Sequence, residues 1–160
     1  CAINGAGESG GSPSLCHKKR MRVEDRVIPA RFLVTLGHLV GVLMVFKTKS
    51  DNIYAGLSYN PTVSELATAN KDVNAALALA MVCFGLDFAS LFFGLSIFMM
   101  KVNAVQTVAH FAGAVLIANF VSEGWDYRSL WHIVGLCNVP TAIVEVGVLF
   151  VVFYLKSVVY

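Results

Sequence analysis

The chain has 160 residues, 57% of them hydrophobic and only 14% charged, with a net charge of +2 and a mean hydropathy of +0.70. That is too little charge to cover the surface of a water-soluble domain of this size. A helix that crosses a bilayer needs roughly 20 apolar residues, and the apolar runs predict four such spans, at about 28–46, 75–100, 104–121 and 130–155. The reading is an all-α polytopic membrane protein, a four-transmembrane-helix antiparallel bundle over residues 27–156, with no room for a second folded domain.

Residues 1–26 read as a disordered basic arm, because 1–20 are rich in Gly and Ser and lack apolar periodicity. Met21 would serve as an initiator, and residues 1–20 are expected not to belong to the native protein. Lys18, Lys19, Arg20, Arg22, Arg26 and Arg31 lie before or at the start of the first span, and basic residues near span ends stay in the cytosol. Both termini are therefore expected to be cytosolic. With Lys101 and Lys156, eight of the twelve basic residues fall on that side, against Lys47, Lys49, Lys71 and Arg128 on the other. No cleavable signal peptide is evident, since the basic run leads into a span of full length.

Pro29 suits the first turn of span one, where its missing N–H is not needed, and Arg31 is placed to snorkel to the interface. Gly37 and Gly41 form a GxxxG that permits close helix approach, and His38 lies beside it near mid-membrane. Residues 47–72 read as the one sizeable loop, with Ser64–Ala69 as a short interfacial helix and Asn70 or Asp72 as the cap of span two.

In span two, Ala76, Ala80, Cys83, Asp87, Ser90 and Gly94 recur at steps of three and four and share one small or polar face. Lys101 and Asn103 mark a tight turn, which predicts that spans two and three are antiparallel neighbours. Span three carries Asn103, Thr107, His110 and Ala114 on one stripe. Trp125, Tyr127 and Trp131 read as an interfacial aromatic belt. In span four Asn138, Thr141 and Glu145 share a face, and Pro140 is expected to kink the helix.

An ionised side chain in hydrocarbon is costly, so Asp87 and Glu145 must face the protein interior. Three roles are open to them. Hydrogen bonds from these acids can tie the bundle together, pairing with His38 or His110 can build a proton or cation relay, or they can recognise a partner helix. Cys83 and Cys137 read as packing residues, the alternative being a membrane oxidoreductase. The four cysteines form no CxxC, and no disulfide framework, metal-ligand spacing, phosphate loop or nucleophile motif is present. The expectation is no enzyme, no cofactor and no metal. The helix-packing or interaction candidates are Gly37, His38, Gly41, Asp87, Gly94, His110, Asn138 and Glu145.

Several segments, in order, resemble the transmembrane protein 107 family. They are Pro29–Leu33, Leu36–Val40, Ser50–Ile53, Val73–Leu77, Asp87, His110, Glu123–Trp125, Trp131 and the Cys137-to-Glu145 spacing, together spanning roughly residues 27–156. The resemblance implies a tetraspan scaffold of the ciliary transition zone that supports cilium assembly and the ciliary gate controlling membrane protein composition. It implies other transition-zone and Meckel-syndrome-complex proteins of the tectonic type as partners. Membrane lipid is expected beside them, and neither nucleic acid nor a small-molecule substrate. The rival reading is a small proton- or ion-coupled transporter using Asp87, Glu145, His38 and His110.

Overall fold

A computed structural model describes the backbone of residues 13–94 and 99–155 and the side chains of residues 26–94, 99–151, 153 and 154. Four helices are long and apolar enough to cross a membrane: helix one, Arg26–Gly56, helix two, Val63–Phe92, helix three, Met100–Ser122, and helix four, Ser129–Phe150. No strand occurs among the described residues. The protein is an all-α, four-helix membrane protein.

The helices differ from the apolar runs at their ends. Helix one is helical backbone from Pro13 to Gly56, so residues 13–20 are helical where composition predicts coil, and Pro29 lies inside the helix instead of at its first turn. The expectations for residues 1–12, for the side chains of Lys18, Lys19, Arg20 and Arg22, and for Lys156 lie outside the described residues. The apolar run stops at Phe46, but the helix continues for another ten residues. There Lys49 Nζ donates to Asn74 Oδ1 at 2.9 Å and ties the polar extension to helix two.

The loop expected at 47–72 is therefore only residues 57–62. Helix two starts on a capping box, not at Asn70 or Asp72. Glu65 N donates to Thr62 Oγ1 at 3.3 Å, and Thr62 N donates back to Glu65 Oε2 at 2.8 Å. Thr62-Val63-Ser64-Glu65 is the S/T-x-x-E pattern that closes two orphan donors at a helix start. The segment 64–69, expected as a separate helix, is the opening of this one.

Helix two ends at Phe92, followed by Gly94 at φ 70°, a left-handed conformation that glycine adopts without steric cost. Lys101 and Asn103, expected to form the tight turn, lie instead within helix three, with Lys101 facing outward and Asn103 buried. Hydropathy could not place this boundary because the apolar run continues through it.

The backbones of helices two and three are not neighbours: no Cα pair between them comes within 8 Å among the described residues, and their side chains meet across the bundle centre, as Asp87 and Phe84 meet His110. The closest pairing joins helices one and three, and helices two and four pack together as a second pair. Residue numbers rise together across both pairs, as in Arg31 with Asn103 and Ser90 with Glu145, so each pair runs parallel. Helix one meets helix two in the antiparallel sense, with Phe32 against Phe88 and His38 against Phe84. The two parallel pairs thus close into a bundle in which the second connection links helices on opposite corners.

Helix four contains a π turn at Val134–Asn138, immediately before Pro140. Proline supplies no N–H to the helical ladder. The Thr141 hydroxyl lies 2.8 Å from Asn138 O and 3.3 Å from Cys137 O, against carbonyls of this irregular turn.

The half of the bundle toward Asn52 has an apolar core that includes Val42, Val45, Leu77, Ala80, Ile117, Phe120, Leu130 and Ile133. Asn52 closes this end. Its Nδ2 donates to Phe120 O and to Trp125 O, each at 2.9 Å, and its backbone carbonyl accepts from Tyr127 N at 3.2 Å. One side chain thus satisfies a terminal carbonyl of helix three and holds the connection to helix four against helix one. Tyr127, expected in the interfacial aromatic belt, is buried in this closure. Asn52→Leu keeps the volume and removes both donations. It is expected to cost about 1–3 kcal/mol, read as a lower melting temperature in lipid nanodiscs with faster tryptic cleavage at Arg128. An unchanged melt and cleavage rate would show that the clamp contributes nothing.

Candidate functional site: a two-layer polar core

The other half of the bundle interior is polar. Its first layer takes side chains from all four helices. Arg31 of helix one donates to Glu145 Oε1 of helix four at 2.6 Å and to Asn103 Oδ1 of helix three at 2.6 Å. Glu145 also accepts from Gln106 of helix three and from the hydroxyl of Ser90 of helix two. All five side chains are at least 98% buried. Arg31, expected to snorkel outward, is fully buried because a carboxylate and an amide oxygen await it inside.

Seven residues along helix one, two turns and roughly 10 Å deeper, lies the second layer. His38 Nδ1 stands 3.3 Å from His110 Nδ1. The other nitrogen of that ring, His110 Nε2, lies 3.2 Å from Asp87 Oδ2, an ion-pair distance without the alignment of a hydrogen bond. Thr141 Oγ1 lies 3.3 Å from the same carboxylate oxygen. Phe84 covers the group, its ring stacked on His110 at 5.8 Å and edge-on to His38 at 5.0 Å.

Periodicity explains why these residues meet. Arg31 and His38 are seven apart on helix one, as are Asn103 and His110 on helix three, so each pair holds one helix face. The two helices run parallel in the same register, which brings the layers level. His38-x-x-Gly41 recurs as His110-x-x-Gly113, and this repeat is a signal in the sequence that single-span reading does not detect. Gly113 is required by its neighbour, because a Cβ there would overlap the His38 ring. Gly41 packs similarly, with a Cβ site 2.9 Å from Ile117 Cγ2.

The expected site residues divide accordingly. His38, Asp87 and His110 come together in one layer, and Glu145 belongs to the other with Arg31. Asn138 is fully buried beside Thr141, with no hydrogen-bond partner for its amide among the described residues. Gly37 faces outward with open space around it, so the GxxxG forms no single contact inside the bundle. Gly94 is a turn residue and not part of the packed stripe. Gln106 is the member that sequence reasoning missed; that reasoning points Arg31 outward and puts Asn103 on the His110 stripe without a partner. Cys83 and Cys137 are buried free thiols. Among the described residues no three His, Cys, Asp or Glu side chains group as metal ligands.

Comparison with known proteins gives this architecture a family. The profile of TMEM107, described as a transmembrane protein, matches residues 27–149. The chain belongs to the TMEM107 family. Transmembrane protein 107 of Rattus norvegicus is 31% identical over 131 residues, which cover 82% of this chain and 94% of the relative. The Homo sapiens protein of the same name is 30% identical over 131 residues with the same coverage, and that of Xenopus laevis 28% over 133 residues, covering 83% and 95%. No solved structure matches the chain. The matched region contains both polar layers, so what the TMEM107 profile covers is the whole membrane core.

Proposed function

We propose that this protein is a non-catalytic scaffold of the ciliary transition zone, which supports cilium assembly and the gate that controls the composition of the ciliary membrane. The reading rests on membership of the TMEM107 family and on the role that the resemblance implies. The supporting structural observation is the Arg31–Glu145 layer, in which one ion pair and three further polar side chains fasten all four helices together. This is the construction of a rigid body that presents fixed outer faces to other membrane proteins. Partners are then other transition-zone and Meckel-syndrome-complex membrane proteins of the tectonic type, with membrane lipid around them and both termini in the cytosol. A transport cycle is not favoured, because Glu145, one of the four groups it would use, is held by Arg31, Ser90 and Gln106.

The test is a fluorescent tag at the C-terminus, imaged in ciliated cells beside a basal-body and an axoneme marker. The expected result is a narrow band between the two markers. Diffuse plasma-membrane or endomembrane signal would overturn the reading.

A further inference from the structure

The polar core contains two carboxylates and one guanidinium. Arg31 and Glu145 neutralise one another at 2.6 Å. Asp87 is equally buried, and no Lys or Arg makes an ion pair with it among the described residues. A lone ionised carboxylate in the low-dielectric centre of a membrane bundle carries a large desolvation penalty. Each helix brings polar or ionisable groups toward this site. Helix one contributes His38, with Arg31 two turns away, and helix two contributes Cys83 beside Asp87 itself. Helix three contributes His110, and helix four contributes Thr141, Asn138 and Cys137, with Glu145 one turn further.

The orientation of His110 resolves the imbalance. Its Nε2 faces a carboxylate oxygen and its Nδ1 faces the Nδ1 of a second histidine. A neutral imidazole offers a hydrogen at one nitrogen and a lone pair at the other. With its hydrogen on Nε2 and its lone pair accepting from His38 Nδ1–H it suits both neighbours, but it leaves the Asp87 charge uncompensated. An imidazolium adds a positive charge 3.2 Å from the Asp87 oxygen and keeps a hydrogen for His38. The same proton placed on Asp87 instead removes the carboxylate charge and lets the acid donate to Thr141, whose own hydrogen has its shortest acceptor, at 2.8 Å, in Asn138 O. In both arrangements the layer holds one hydrogen ion more than a neutral histidine pair and a free carboxylate would.

We infer that Asp87, His110 and His38 form a binding site for a single proton, shared chiefly between Asp87 and His110, whose occupancy makes the membrane core electrically neutral. The site is a fixed element of the folded bundle and does not depend on where in the cell the protein works. It also does not require conduction, since the Arg31–Glu145 layer is closed by its own hydrogen bonds.

The full chain, labelled with 15N-histidine and placed in lipid nanodiscs at about pH 8, where ordinary histidines are neutral and ordinary aspartates ionised, tests this directly. Histidine nitrogen shifts report whether both His110 nitrogens are protonated. Infrared difference spectra against Asp87→Asn report whether the Asp87 carboxyl is protonated. The expected result is one proton on the pair, seen either as a doubly protonated His110 or as a carboxylic acid band lost in the variant. In Asp87→Asn, any His110 imidazolium signal is expected to disappear. An ionised Asp87 beside two neutral histidines in the wild-type protein would overturn the proposal, and that outcome needs no variant to fold.

Discussion

Glu145→Ala is expected to destabilise the protein more than any other single truncation of the polar core, by about 3–5 kcal/mol, the range for breaking a buried ion pair by removing one partner. The substitution leaves the Arg31 guanidinium buried without its carboxylate and removes the acceptor used by Ser90 and Gln106. Helix four thereby loses its polar ties to helix one and helix three in a single step. The informative control is the double replacement Arg31→Met with Glu145→Leu. A buried ion pair exchanged for apolar groups of similar volume is often neutral or stabilising, so the double variant is expected to melt above both single variants in lipid nanodiscs. If the effects of Arg31→Met and Glu145→Leu simply add, the two residues are not acting as a pair and the first layer is not the clamp described above.

Gly113→Val is expected to be the most damaging small-to-large change. A Cβ at this position overlaps three atoms of the His38 imidazole, and His38 is itself confined by Phe84 and His110. The helices must separate or the ring must leave its place, and overpacking of this kind costs about 1–3 kcal/mol. The cost falls on the closest helix pair of the bundle and breaks the His38–His110 contact with it. Gly37→Val is the matched control, since open space surrounds Gly37. Its melting temperature is expected to stay near that of the wild type. Adding His38→Ala to Gly113→Val makes room for the valine and should recover part of the loss. Equal sensitivity at Gly37 and Gly113 would contradict the packing described.

Much of the fold is legible without coordinates. The four spans follow from apolar length alone, because a backbone in hydrocarbon must satisfy its hydrogen bonds within a helix. The same energetics turn Asp87, His110 and Glu145 inward, whereas the capping box at Thr62 and Glu65, though written in four residues, is passed over in the sequence reading for a cap at Asn70 or Asp72. Helix ends were less legible. The hydrophobic signal reports where lipid is, and helix one runs on past Phe46 as a polar helix supported by Lys49 and Asn74, where lipid preference says nothing.

What sequence alone determined was the number of helices, the membrane as their solvent and the inward direction of the acids. Only the tertiary structure decided which helices touch. A short connection between spans two and three predicts neighbours, yet these two stand at opposite corners of the bundle, while helix one packs most closely on helix three and helix two on helix four. Partner choice decided the rest. Arg31 is buried and not snorkelling because Glu145, 114 residues away in sequence, meets it at 2.6 Å. The physical reason is that desolvation is a local property of one side chain, readable from its neighbours in sequence, whereas its compensation comes from other helices and exists only once they are assembled.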